Sequence, residues 1–254
     1  MRRAVALLSV LLAGCAAEKR IERVEWTVMG TVAAVQFRGE VDKAVVAEVQ
    51  RVFREVEEKL NSHDPSSEIS RLSSEPDGKA VQMCDPRMRP CYEAAFAFRE
   101  KTEGRFNPRW RGEGTLDFGA VAKGFAVDLA ARAVADKTSG KDVLIDLGGN
   151  LKSVSGIWKT AIANSGEMIS LAPGEACATS AAYFRGGHIK DGTSGRTVAT
   201  DVFSVTAVHP SSAMTADMLS TAMYIMGEKE GRQFLSRWYP SVRAVFVFRT
   251  QVQP

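Results

Sequence analysis

Leu116-Asp117-Phe118-Gly119-Ala120-Val121-Ala122-Lys123-Gly124-Phe125-Ala126-Val127-Asp128 is the stretch on which the reading of this chain turns. It begins like the end of a strand, turns at Gly119 and continues as a helix to about Lys137. Such a turn presents backbone N–H groups at a helix start, where an anion such as a phosphate is favoured. Asp117 and Lys123 flank it. Further on, Ala216-Asp217-Met218-Leu219-Ser220-Thr221-Ala222 again reads as helix. Asp217 and Thr221 are one turn apart, so their oxygens share a face. A carboxylate and a hydroxyl brought beside a phosphate-binding turn suit a hard cation such as magnesium.

Outward from these segments, strands and helices alternate without a regular βαβ rhythm, which favours α+β over a doubly wound sheet. Residues 25–38 read as a strand pair, and 41–60 as the clearest amphipathic helix, with Val45, Val49, Val52, Val56 and Leu60 on one face. Residues 61–77 are rich in Ser, Pro and Asp and read as loop with brief structure. A helix is expected over 90–102, a buried strand over 141–147 stopped by Gly148-Gly149, and further strands over 158–163, 168–171 and 177–183. A turn-rich loop over 186–196, a strand over 202–209, a helix over 215–226 and a strand over 242–248 complete the pattern.

The first residues read as a targeting segment: Arg2 and Arg3, a short apolar run from Ala4 to Leu12, then Leu12-Ala13-Gly14-Cys15 as a bacterial lipobox. The expected organisation is a signal peptide over 1–14, a lipidated tether over 15–22 and one domain over 23–254. The alternative is an ordinary secretory signal with Cys15 incidental. Lipidation at Cys15 places the protein in the bacterial cell envelope, facing the periplasm. Ala16 rather than Asp after the cysteine favours the outer membrane over the inner. The formal charge of +3 over 254 residues gives no strong basic field and excludes nucleic acid as the expected partner. Export to an oxidising compartment allows a local Cys84–Cys91 disulfide, leaving Cys177 as a small core thiol. His209, followed by Pro210 at a strand end, reads as structural.

Eight pieces in order give the chain a resemblance to the FAD:protein FMN transferase family, also called ApbE. They are Met29–Thr31, Asp64–Leu72, Phe106–Pro108, Leu116–Asp128, Leu147–Asn150, Ala178–Ser180, His188–Asp191 and Ala216–Thr221. The resemblance implies a single two-lobed α+β domain of the tunnelling-fold type, with mixed, mostly antiparallel sheets and packed helices. It implies magnesium-dependent transfer of FMN from FAD to a threonine or serine hydroxyl of an exported electron-transport protein, with release of AMP. Carried over residue by residue, it assigns the cation to Ala120 (through its carbonyl), Asp217 and Thr221. It assigns the flavin nucleotide to Met29, His63, Phe106, Asn107, Asp117, Lys123 and Ile189. His188 takes the place of a family histidine whose imidazole can accept the acceptor's proton.

Several positions depart from the family pattern. His63 stands where an aromatic residue is common, Asn107 replaces an Asp, and Gly192 and Ser194 replace Pro and Thr. The segment between Phe106 and Leu116 is short. Two other functions share the same residues: a lipoprotein that holds FAD without turnover, and a magnesium-dependent FAD pyrophosphatase yielding FMN and AMP.

Overall fold

The computed structural model describes residues 20–181 and 189–249. A β-hairpin opens the fold: β1 (Ile21–Val28) and β2 (Thr31–Arg38) pair antiparallel through the Met29-Gly30 turn. Both turn residues have positive φ (52° and 66°), the geometry that matches a two-residue hairpin to the twist of its strands. β1 begins at Ile21, so Ile21 and Glu22 belong to the sheet rather than to the expected tether.

α1 (Lys43–Leu60) follows, capped by Asp42, whose carboxylate accepts from the N–H groups of Ala44 and Val45. Its buried stripe is Val45, Val46, Val49, Val52, Phe53, Val56 and Leu60. Short helices α2 (Glu68–Leu72) and α3 (Asp77–Met83) lead to α4 (Arg89–Lys101). α5 (Ala122–Val134) ends in a 3-10 turn at Ala135–Lys137. Then come β3 (Asp142–Leu147), β4 (Asn150–Ser155), β5 (Trp158–Ala161), β6 (Met168–Leu171), β7 (Ala176–Ala181), β8 (Val202–His209), α6 (Ala213–Trp238) and β9 (Arg243–Phe248).

Seven strands form one sheet in the order β1-β2-β3-β4-β7-β8-β9, with every neighbouring pair antiparallel. Alternation along the strands divides two cores. On β3, Val143, Ile145 and Leu147 join the main core with α1, α4, α5 and α6, whereas Leu144 joins a second cluster with Trp158, Ile169, Leu171 and Cys177. The β5–β6 hairpin thus covers the face opposite the helices. The α+β architecture and antiparallel sheets agree with the expectation.

Three expectations need correction. Leu116–Phe118 is not the end of a strand: the Leu116 N–H donates to Ser73 Oγ and the Asp117 N–H to the Pro108 carbonyl, which takes this backbone out of the sheet. Cys84 and Cys91 are separate buried thiols rather than a disulfide. Finally, α6 continues past residue 226, bending at Gly227 (φ 73°, ψ 175°), a conformation glycine accepts without strain. Cys177 is buried, as expected of a core thiol.

Candidate functional site

The site forms at one end of the large sheet, because antiparallel register puts two turns side by side there. Ala33 pairs with Leu147 and the Gly148 N–H donates to the Val32 carbonyl, so the Met29-Gly30 and Gly148-Gly149 turns are neighbours. Gly148 (φ 59°) packs so closely on Thr31 that a Cβ would lie 2.6 Å from its Oγ1. The Met29 N–H donates to Glu57 Oε1 of α1 at 2.6 Å, which holds the strained turn.

α5 and α6 cross beside this end. The crossing is tight: a Cβ on Gly124 would meet the Ala213 carbonyl oxygen at 2.3 Å and Met214 Cα at 2.7 Å. No side chain of its own segment caps α5. Instead Asp217 of α6 reaches across, its Oδ2 accepting the Gly124 N–H at 3.0 Å. A carboxylate here gains from the positive end of the α5 dipole. Lys123 sits 3.9 Å from the same oxygen and donates to the Gly119 carbonyl at 2.9 Å, tying the turn to the carboxylate. Asp217 is buried. Burial raises its pKa above the ordinary value; Lys123, the Gly124 N–H and the nearby Asn150 side chain pull it back down.

Thr221 lies one turn further along α6, its Oγ1 2.9 Å from Ser180 Oγ of β7. Ser180 also bonds Ser220 Oγ at 2.8 Å. Asn150, the first residue of β4, is buried, and its Oδ1 has no hydrogen-bond partner among the described residues. A buried carbonyl oxygen without a donor is costly unless something fills the place. One carboxylate, hydroxyls and an orphaned amide oxygen make an all-oxygen donor set. That set fits a hard divalent cation and not zinc, whose sites favour nitrogen and sulfur. Among the described residues no group of three or more His, Cys, Asp or Glu gathers anywhere.

The remaining expected residues divide. Met29 shares the sheet end described above. Ala120 lies half-buried in the turn before α5. Asp117 is engaged locally: Oδ1 accepts the Gly119 N–H (2.8 Å), and Oδ2 meets Trp110 Nε1 (3.2 Å) and Arg111 Nη2 (2.8 Å). It shapes the turn. Phe106 is buried against Phe98 with ring centroids 5.1 Å apart, and Ile189 is also in the core. Asn107 donates to the Gly192 carbonyl at 3.4 Å and accepts from the Arg109 N–H. Gly192 has a reason to differ from the family's proline: its N–H donates to the Arg105 carbonyl, and a Cβ would lie 2.3 Å from that of Asn107. His63 is exposed, its N–H bonded to Asn61 Oδ1. His188 lies outside the described residues, as do Cys15 and the targeting segment.

Glu57, Asn150 and Ser180 were not singled out from sequence. Asn150 and Ser180 do fall within the recognised pieces Leu147–Asn150 and Ala178–Ser180. Glu57 carries no signal, being one acid among several on α1.

Comparison with known proteins shows the family and the fold. The model of the ApbE family matches residues 29–114 and 109–246. The FAD:protein FMN transferase of Vibrio cholerae serotype O1 is 29% identical over 300 aligned residues, covering 89% of this chain and 88% of that protein. The solved flavin transferase ApbE from Vibrio cholerae superposes with a TM-score of 0.73 at 21% identity, covering 91% of this chain and 94% of the other. The apo flavinyl transferase ApbE of Pseudomonas stutzeri gives a TM-score of 0.75 at 20% identity, covering 91% and 92%. The two structures share the fold described above.

Proposed function

This chain belongs to the ApbE family and is a transferase, and from that premise we propose that it moves FMN from FAD to a hydroxyl of an exported partner protein, aided by a divalent cation. The observation that carries the reading is the buried Asp217 carboxylate, delivered by α6 to the N-terminus of α5 beside Lys123. In the proposed reaction a threonine or serine oxygen of the partner bonds to the FMN-side phosphorus of FAD. The bond from that phosphorus to the AMP side breaks, AMP leaves with the electron pair, and the hydroxyl proton passes to a base.

Asp217 and Thr221, with the Ala120 carbonyl, are the groups that would hold magnesium, and Asn150 stands beside them. A bound magnesium supplies Lewis-acid stabilisation of the charge that builds on the phosphate oxygens. Lys123 adds a second positive charge at the turn, where the start of α5 already favours an anion. The Met29-Gly30 turn, pinned by Glu57, offers a fixed wall for the flavin. On sequence grounds alone, His188 is proposed as the base and Cys15 as the site of a lipid anchor holding the protein in the envelope, facing the periplasm.

Incubation with FAD, magnesium and a peptide bearing an acceptor threonine tests the proposal. The expected product is flavin-labelled peptide plus AMP. Free FMN plus AMP without labelled peptide makes the protein a pyrophosphatase. FAD left intact makes it a binding protein. Removing magnesium with a chelator should stop label transfer.

A further inference from the structure

We infer that Ser180 fixes the hydrogen-bond direction of Thr221, so that the Thr221 oxygen is left as a pure acceptor on its open side. The inference rests on the cation reading above and adds to it a positioning residue. A hydroxyl has one proton and two lone pairs. Ser220 Oγ donates to the backbone carbonyl of Asp217 at 3.0 Å, and a carbonyl can only accept, so the single Ser220 proton is spent there. Ser220 Oγ also lies 2.8 Å from Ser180 Oγ, so in that bond Ser220 accepts and Ser180 donates. Ser180 Oγ lies 2.9 Å from Thr221 Oγ1 with its own proton already committed. Thr221 must therefore be the donor. The carbonyl, the one member that cannot donate, orients the whole chain.

Burial keeps this order intact, since Ser220 is fully buried and water does not compete for its proton. The strand fixes the other end: Ser180 is paired with Val205 in the β7–β8 ladder, and its side chain reaches α6. The Thr221 proton is thus drawn toward β7. An oxygen ligand to a divalent cation must offer lone pairs, and a hydroxyl proton turned toward the ion would repel it. Such partners behind a ligand hold it in the productive orientation and are typically worth about ten- to a hundredfold in metal affinity.

The test counts free Mn2+ by electron paramagnetic resonance in titrations of the full chain with Mn2+ alone. Ser180→Ala is expected to weaken Mn2+ binding about tenfold. Thr221→Val should weaken it at least as much, and the double variant no more than Thr221→Val, because Ser180 acts only through Thr221. Ser180→Thr, which keeps the hydroxyl, should bind close to wild type. Thermal melts check folding. If Ser180→Ala does not fold, Ser220→Ala reads the same chain, because it frees Ser180 to donate toward Thr221 and should also weaken binding. Unchanged affinity in Ser180→Ala, or losses that add in the double variant, would overturn the inference alone. A wild-type protein that binds no Mn2+ would sink the cation reading and this inference with it.

Discussion

Two aspartates are exchanged across the same pair of helices, with opposite outcomes. Asp128 of α5 caps the start of α6, and Asp217 of α6 caps the start of α5. Both are buried. Asp128 is saturated: Oδ1 accepts from the Ala213 N–H (2.9 Å) and Lys152 Nζ (2.8 Å), Oδ2 from Ser212 Oγ (2.8 Å) and the Met214 N–H (3.0 Å). Asp217 has one short backbone donor, a lysine at 3.9 Å and the Asn150 side chain nearby, and burial raises its pKa. A satisfied buried carboxylate is a clamp. An under-satisfied one keeps its charge available for a ligand, and the fold bears that cost because the clamp secures the same crossing.

The largest effect should come from breaking the clamp. Asp128→Ala strands Lys152 and unties the start of α6, and should cost about 3–5 kcal/mol of stability in denaturant titration. Pairing it with Lys152→Met should restore part of the loss. If the single change costs under about 1 kcal/mol, the two aspartates do not differ as described.

Asp217→Asn should do the reverse. Label transfer should fall at least about a hundredfold, near 3 kcal/mol of transition-state stabilisation. The fold should be no less stable at neutral pH, because a buried charge is removed. A raised carboxylate pKa means that the folded state holds the proton longer than the unfolded chain. Wild-type stability is therefore eroded as pH rises from the ordinary 3.8 through the raised value, and Asp217→Asn should remove that slope. A variant both active and less stable would make Asp217 a second clamp.

Gly124→Ala probes both halves at once. Its methyl would collide with the Ala213 carbonyl oxygen, forcing the helices apart at a cost of about 2 kcal/mol. Because Gly124 also donates to Asp217, activity should drop with stability. Stability lost alone would show that Asp217 tolerates movement of the crossing.

The smallest effect concerns His209, whose Nδ1 accepts from the N–H groups of Ser211 (3.1 Å) and Ser212 (2.9 Å) just before α6. Burial lowers its pKa below 6.5, opposed by Asp128 and reinforced by Lys152. The folded state needs the neutral ring, so this stability is complete above pH 6.5 and lost as pH falls through the lowered value. His209→Asn, which keeps an acceptor, should flatten the acid limb of a stability profile by about 1 kcal/mol or less. An unchanged limb would separate His209 from the clamp.

Much of this was legible in residue order. α1 announced itself through Val45, Val49, Val52, Val56 and Leu60, and Asp217 with Thr221 through a one-turn spacing that puts a carboxylate and a hydroxyl on one helix face. The Leu116 segment misled, since extended residues in sequence look alike whether they pair with a strand or, as here, with Ser73 and Pro108. Phe106, which the resemblance sets against the flavin, is buried against Phe98, a packing partner that no local spacing announced. Glu57 was invisible because its task, holding the Met29 N–H, lies across a separation of 28 residues.

The sequence by itself determined most of the helices and strands, the α+β class and the shared helix face of Asp217 and Thr221, because those depend on local periodicity and residue type, while the antiparallel sheets were implied by the family resemblance. Only the tertiary structure decided which aspartate is saturated and which is poised, and that the hydroxyls of Ser180, Ser220 and Thr221 meet at all. These depend on burial and on donors brought in from other helices and strands, and no spacing along one chain segment encodes them.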